Sequence, residues 1–208
     1  LQSQYELCEK NCREWACRLH KARESKIKSL EELITDCLKS LGFRNPKFEI
    51  ALTIKQELDN RGLSSVVFNF ASDAALPCLP LGNVASPGEL SRVLLALKSV
   101  LNDVQSVPIL VFDEIDANVG GEIGQKVGCL LKRLGQNAQV FCVTHLPQVA
   151  SQSDHHFYVT KSVKDQIPTI QFEALKEVNA RCRELARMLG NPDSASALQH
   201  AKTLLEAH

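Results

Sequence analysis

An apolar run ends in two acids at Val107-Pro108-Ile109-Leu110-Val111-Phe112-Asp113-Glu114. The run has the length and composition of a strand buried on both faces, as in a parallel sheet. A second apolar strand, Val140-Phe141-Cys142-Val143, follows a helical pattern and ends in Thr144-His145. Buried strands that alternate with helices predict an α/β fold with a mainly parallel sheet.

The acids and the histidine follow the strands directly, where open parallel sheets bind their ligands. Asp113 could hold a hydrated Mg²⁺, and Glu114 could orient or deprotonate a water. An acid there could instead cap the following helix. A lone histidine is more often structural than functional, but His145 is expected at the same sheet edge as the acids. There its imidazole could hydrogen-bond a terminal phosphate.

A third element is Ser86-Pro87-Gly88-Glu89, at the start of a predicted helix. Ser86 is typical of an N-cap, Pro87 of the first helical residue and Glu89 of the third, which together form a capping box. The same arrangement leaves the Gly88 amide and the Ser86 hydroxyl at a positive helix end, where anions bind. Capping and phosphate contact are compatible.

The first 41 residues contain no Gly or Pro and predict one long helix that ends at Gly42. Its mostly apolar seam has alternating spacings of three and four, typical of a coiled coil with a stutter. The seam consists of Tyr5, Cys8, Cys12, Trp15, Leu19, Ala22, Lys26, Leu30, Leu33, Cys37 and Leu41. An ordinary amphipathic helix packed on the domain is the alternative.

The remaining pattern predicts strands and helices around an irregular loop at residues 72–86. Residues 55–62 are expected to be a connection. The strands are Lys47–Ile54, Ser64–Phe70, Val107–Phe112, Gln139–Val143, His156–Lys161 and Pro168–Phe172. The helices are Pro87–Asn102, Glu122–Leu134, Asn179–Leu189 and Ser194–Glu206.

Composition limits the possible functions of the 208-residue chain. Its 24 basic and 24 acidic residues argue against a protein that grips nucleic acid by bulk charge. It contains no apolar run of about 18 residues, so no membrane span is expected. None of the eight cysteines forms a CxxC pair, which favours buried thiols in a reduced compartment. The start at Leu1, without Met or a signal pattern, suggests part of a longer polypeptide.

Three long stretches resemble the C-terminal half of an ABC-class ATPase head, and more closely the RecN family of DNA repair proteins. They are residues 85–98 around Ser86-Pro87-Gly88-Glu89, residues 112–121 around Asp113-Glu114, and residues 143–150 around His145. Glu184-Leu185-Ala186-Arg187-Met188-Leu189-Gly190 also resembles that family. The resemblance covers residues 40–208. It implies a returning coiled-coil arm helix at residues 1–41 and the C-terminal lobe of an SMC-like P-loop head at residues 42–208.

The resemblance also implies residue roles, with ATP and Mg²⁺ as cofactors. Asp113 of a Walker B motif would coordinate Mg²⁺ through water, and Glu114 would activate the attacking water. His145 would touch the γ-phosphate within the same head. The signature residues Ser86, Gly88 and Glu89 would face nucleotide bound by an opposing head. Asp116 of the D-loop would couple the two heads across that dimer.

Two departures qualify the resemblance. The family has Gly where this chain has Pro87, which removes an amide donor. No G-x-x-x-x-G-K-[ST] phosphate loop occurs in the sequence. The sequence therefore predicts half of an ATPase head that does not hydrolyse ATP on its own. Implied partners are the N-terminal half with its Walker A loop, a second head and broken DNA ends, in a cytoplasmic, nucleoid-associated setting. A degenerate structural module and another SMC-type head remain alternatives.

Overall fold

The computed structural model describes residues 2–84, 86–101, 107–164 and 167–206, and it divides into two compact units, residues 1–100 and 101–208. The first unit holds α1 (Gln2–Ser40), β1 (Lys47–Asp59), β2 (Gly62–Ala71), β3 (Leu79–Pro80) and most of α2 (Pro87–Leu101). The second holds β4 (Ile109–Phe112), α3 (Gly121–Leu134), β5 (Gln139–Cys142), α4 (Pro147–Ala150), β6 (Phe157–Lys164), β7 (Ile167–Ala174), α5 (Val178–Met188) and α6 (Ala195–Glu206).

The long helix α1 ends as predicted at Gly42, whose φ is 91°. The Gly42 amide donates to the Lys39 carbonyl at 3.2 Å, and the Phe43 amide donates to the Leu38 carbonyl at 3.3 Å. This pair of bonds is a Schellman motif, which satisfies carbonyls that the helix end leaves without partners. Leu38 and Phe43 are both buried, as the hydrophobic contact of that motif requires.

One face of α1 packs on the hairpin formed by β1 and β2. Ala16, Ile34 and Leu38 are buried on that face, and the Glu31 carboxylate accepts a hydrogen bond from the Ile50 amide at 2.7 Å. Residues 2–15 are all exposed, which corrects the expectation of buried thiols at Cys8 and Cys12; Cys17 and Cys129 are exposed as well, and Cys182 is buried. The expectation failed because Cys12 precedes the part of α1 that packs on the hairpin.

In the second unit, β4 and β5 pair in parallel with Phe112 opposite Cys142. The parallel pairing predicted for the buried strands that alternate with helices is therefore confirmed, whereas the remaining strands are not part of a parallel sheet. Strands β1, β2 and β3 pair antiparallel, as do β6 and β7. Their short connections explain the difference, because a hairpin loop can join only antiparallel strands.

Most element boundaries agree with the predictions to within two residues, but β6 ends three residues later than predicted, β3 lies in the loop predicted to be irregular, and the first hairpin and α4 differ as well. Strand β1 continues to Asp59, through most of the predicted connection, and its register with β2 shifts between Ile54 and Asp59. The four-residue helix α4 was not predicted. Asn102, the predicted end of α2, lies outside the described residues. No helix in the described ranges has both the length and the apolar character needed to cross a membrane.

One part of the core of the second unit is built around α5 and α6. Ala150, Cys182, Leu185, Ala186 and Ala201 form its buried cluster. Helix α4 belongs to this cluster through Ala150, so the segment after β5 is held between the parallel strands and the final helices. This placement fixes the position of the loop that carries His145.

Candidate nucleotide site

The loop after β4 presents two exposed carboxylates and buries the next two side chains. Asp113 and Glu114 are exposed, whereas Ile115 and Asp116 are 0% and 2% exposed. Glu114 has a φ of 55°, in the left-handed region that is uncommon for non-glycine residues. Its amide donates to the Asp113 Oδ1 at 3.0 Å. Such strained backbone clusters at functional sites, and it turns the chain sharply at the strand end.

The buried Asp116 carboxylate binds the segment that follows β5. Its Oδ2 accepts hydrogen bonds from the Thr144 hydroxyl, from the His145 amide at 2.9 Å and from the Leu146 amide at 3.2 Å. The His145 Nδ1 lies 3.2 Å from the same oxygen. These contacts join the ends of the two parallel strands into one polar cluster, with the His145 ring 70% exposed beside it.

The carboxylates also act on Cys142, the last residue of β5. Burial, together with the smaller effect of the nearby negative charges of Asp116 and Asp113, raises the pKa of the Cys142 thiol to about 12. Cys142 is therefore a neutral thiol at physiological pH. A neutral thiol is a poor nucleophile.

Helix α3 approaches α4 closely through its glycines. A Cβ at Gly124 would lie 2.8 Å from Leu146 Cδ1, and a Cβ at Gly128 would lie 3.1 Å from the Gln148 carbonyl oxygen. At Gly128 backbone atoms of the facing segment leave no room for a Cβ, whereas at Gly124 only the end of a flexible side chain lies in the way. The histidine loop is held on one side by Asp116 and on another by α3.

The start of α2, in the first unit, has the predicted cap. The Ser86 Oγ accepts from the Glu89 amide at 3.4 Å, and the Leu90 amide donates to the Ser86 carbonyl at 3.0 Å. Gly88 is buried. The Ser86 hydroxyl is an acceptor in this contact, so its proton can be donated to another acceptor.

A buried cation lies one turn further along α2. The Arg92 guanidinium sits 5.0 Å from the centre of the Phe43 ring and is 8% exposed. Burial lowers the pKa of Arg92, while the Glu89 carboxylate acts in the opposite direction. Glu89 therefore has a charged neighbour within the first unit, and that neighbour contacts Phe43 just after the end of α1.

The donor set fits a magnesium ion only as part of a larger site. No group of three or more potential ligand residues occurs within the described residues. Asp113 is a single exposed carboxylate, and proteins often bind Mg²⁺ with one or two carboxylates together with waters and substrate phosphates. Asp113 could serve in this way, with the remaining ligands coming from nucleotide and water.

Similarity to known proteins agrees with this arrangement, although no family model matches the chain. The chain is 39% identical to the DNA repair protein RecN of Deinococcus radiodurans over 187 residues, which are 90% of this chain and 33% of that protein. It is 36% identical to the Rickettsia felis RecN over 206 residues, 99% of this chain and 38% of that protein. The chain is a relative of the RecN proteins. It spans about a third of the length of these curated relatives and matches their C-terminal part.

A solved structure supports the fold class of this RecN relative. The Smc head domain with a coiled coil and joint from Pyrococcus yayanosii matches with a TM-score of 0.50 at 16% identity, covering 86% of this chain and 29% of that one. At this identity the likeness concerns the fold alone. It confirms the SMC-type head fold with a long leading helix.

The structure brings part of the predicted RecN-like site together. Asp116 and His145 are in contact, and Asp113 and Glu114 lie on the same loop as Asp116. Ser86, Gly88 and Glu89 belong to the first unit. The roles of all seven predicted residues toward nucleotide stay predictions. Those residues are Ser86, Gly88, Glu89, Asp113, Glu114, Asp116 and His145.

Sequence reasoning missed Thr144 and the α3 glycines Gly124 and Gly128. Thr144 precedes the predicted histidine, which was the available signal, but its partner Asp116 is distant in sequence. In the sequence, these glycines belong to the glycine-rich stretch Gly120 to Gly128, which lacks the phosphate-loop pattern. Their role in packing is visible only when α4 lies against α3, and no local sequence pattern predicts that placement.

Proposed function

We propose that this chain is the C-terminal part of a RecN-like ATPase that acts in DNA double-strand break repair and recombination. ATP would be hydrolysed with Mg²⁺ once the N-terminal part supplies a Walker A loop. The chain's similarity to curated RecN proteins supports the repair role. The proposed setting is the cytoplasm, at the nucleoid.

One observation carries the catalytic part of the proposal. Strands β4 and β5 pair in parallel, so their carboxyl ends are neighbours. One end carries Asp113 and Glu114, and the other carries His145 beside Asp116. A metal-binding acid, a water-activating acid and a phosphate-contacting imidazole can each serve phosphoryl transfer, since this chemistry depends mainly on positioning and charge stabilisation.

Each residue then has a proposed role. Asp113 would hold Mg²⁺ through water, and Glu114 would orient and deprotonate the attacking water. His145 would contact the γ-phosphate. Ser86 and Gly88, with Glu89 beside them at the positive end of α2, would contact the γ-phosphate held by a second head, because helix N-termini favour anions. ATP binding would thereby join two heads.

The exposed surface of the β4–β5 pair supports an N-terminal partner. Ile109, Val111, Phe141 and Val143 are each about half exposed or more. Parallel sheets are normally covered on both faces, and a two-stranded sheet is rarely stable alone. We propose that the N-terminal half of the head covers this surface and extends the sheet.

The exposed seam of α1 supports an arm that packs against another helix. Tyr5, Trp15 and Leu33 are 70%, 67% and 58% exposed, although all three are large and apolar. We propose that residues 1–41 are the returning helix of a coiled-coil arm and residues 42–208 the head lobe. An exposed apolar seam of this spacing is suited to a partner helix elsewhere in the polypeptide.

Mixing the two halves tests the proposal. Mg²⁺-dependent ATP hydrolysis is measured for this chain alone, for the N-terminal half alone and for the mixture. Turnover in the mixture only would support a composite ATPase. Turnover by this chain alone would contradict it, since it would require a phosphate-binding loop within these residues.

Glu114→Gln in the complete protein tests the catalytic carboxylate. The substitution keeps the size of the side chain and removes its ability to accept a proton. We expect ATP turnover to fall by at least about 100-fold, the lower range for losing a general base, while ATP binding measured by equilibrium dialysis is retained. Turnover close to wild type would exclude the proposed role. Glu122→Gln, an exposed acid on α3, is the matched control.

A structural module without catalysis is the second candidate. Pro87 favours it, because this residue provides no backbone N–H at the start of α2, where phosphate contacts are proposed. Folded, associated halves that do not hydrolyse ATP would support this alternative. Restoration of turnover by Pro87→Gly would then identify the proline as the cause.

A further inference from the structure

The seam of α1 changes its surroundings along the helix. Each seam residue from Tyr5 to Lys26 is exposed, whereas Leu30 is partly buried and Leu41 is fully buried. The seam therefore has a part packed within the first unit and a part open to solvent. The open seam consists of Tyr5, Cys8, Cys12, Trp15, Leu19 and Ala22.

The change coincides with the stutter in the seam spacing. Consecutive spacings of four at Ala22, Lys26 and Leu30 interrupt the alternation of three and four, and a stutter locally unwinds a supercoil. Lys26 also places a cation on the seam, and a polar residue at such a position reduces coiled-coil stability. Beyond the stutter, Cys37 is partly buried and Leu33 is exposed. A partner helix that follows the seam therefore loses most of its apolar contact surface at Lys26.

The β1–β2 hairpin occupies a neighbouring side of α1. The His20 Nδ1 lies 3.0 Å from the Ser64 Oγ, and the Arg23 guanidinium donates to the Arg61 carbonyl at 2.9 Å. His20 and Arg23 each follow a seam residue directly, and successive residues of a helix are turned by less than a third of a revolution. The hairpin therefore holds this part of α1 while it leaves the open seam beside it exposed.

We propose that the helix contact of the arm ends at the stutter around Lys26, so that the open seam docks one amphipathic helix and the rest of α1 belongs to the head lobe. The alternating spacing of three and four specifies a helix as the partner. This chain spans about a third of the length of its RecN relatives and matches their C-terminal part, so the N-terminal part of the same polypeptide supplies that helix. The inference rests on the proposed arm, and it restricts the helix contact to residues 5–22.

The native thiols of α1 report on this contact without any substitution. Cys8 and Cys12 lie on the open seam, whereas Cys17 lies two residues from Trp15 and faces another side; all three thiols are exposed in this chain. Alkylation by iodoacetamide is followed by mass spectrometry of each peptide, in this chain and in the complete polypeptide. In the complete polypeptide we expect alkylation to be at least about 10-fold slower at Cys8 and Cys12 and to change by less than about twofold at Cys17.

Two engineered thiols locate the end of the contact. Ala22→Cys and Leu33→Cys lie on the seam, before and after the stutter, and both positions are exposed in this chain. In the complete polypeptide we expect Ala22→Cys to be protected like Cys12, and Leu33→Cys to react as it does in this chain. Protection at both positions, or at neither, overturns the proposed end at Lys26.

Unprotected Cys8 and Cys12 in the complete polypeptide overturn the docking surface itself. Protection that rises with concentration in this chain alone identifies a second copy and overturns the proposed partner. The readout does not require ATP hydrolysis. A complete polypeptide without turnover that keeps the protection pattern would contradict the proposed ATPase and leave this inference standing. An active ATPase without protection would do the reverse.

Discussion

Gly128→Ala measures how tightly α3 packs on the segment after His145. The new Cβ would lie 2.7 Å from Gln152 Cγ, 3.1 Å from the Gln148 carbonyl oxygen and 3.3 Å from Val149 Cα. Two of these neighbours are backbone atoms, and the Gln152 side chain is buried, so rotation of a side chain cannot relieve the contact. The helices must move apart by a few tenths of an ångström.

The net effect is the difference between two opposing contributions. Replacing Gly by Ala within a helix stabilises by about 1 kcal/mol. Overpacking a buried contact costs about 1–3 kcal/mol, and backbone neighbours place this site in the upper part of that range. We therefore expect Gly128→Ala to lower the free energy of unfolding by about 1–2 kcal/mol.

Gly124→Ala is the matched control in the same helix. Its Cβ would lie 2.8 Å from Leu146 Cδ1, the end of a flexible side chain, and 3.6 Å or more from the other neighbours. Leu146 can rotate away, so the helix-propensity gain largely offsets the contact and we expect a change within about 0.5 kcal/mol. Urea unfolding monitored by circular dichroism measures both variants. If Gly128→Ala has the same free energy of unfolding as Gly124→Ala, α3 and α4 do not pack as closely as the structure shows.

Two further predictions concern burial and thiol chemistry. Ile34→Ala, at a fully buried position on α1, should cost about 2–4 kcal/mol in urea unfolding. Leu33→Ala, 58% exposed on the same helix, should cost less than about 0.5 kcal/mol, and equal costs would contradict the packing of α1 on the hairpin. At pH 8, Cys142 should resist alkylation by iodoacetamide, because a pKa of about 12 leaves almost no thiolate. The exposed Cys8 should react under the same conditions. Mass spectrometry of the peptides that contain each cysteine measures the two extents of alkylation.

The helices and the separate strands were predictable because their signals are local. Hydrophobic periodicity located α1, α2 and α3 to within a residue or two, and Gly42 marked the end of α1. The pairing of the strands was less predictable. Both β1–β2 and β6–β7 are antiparallel hairpins, and the continuation of β1 to Asp59 depends on its partner strand. Partner choice involves residues that are not neighbours in sequence.

Local pattern alone placed Asp113 and Glu114 at a strand end and Ser86 at a helix cap. The structure has both features, because each depends on a few adjacent residues. The contact between Asp116 and Thr144 joins residues 28 positions apart, and the close approach of Gly128 to Gln148 requires α3 to lie against α4. These contacts require that β4 pairs with β5 and that α4 packs against α3. Tertiary packing therefore decided which groups support His145, since hydrogen bonding and close contact depend on distance in space.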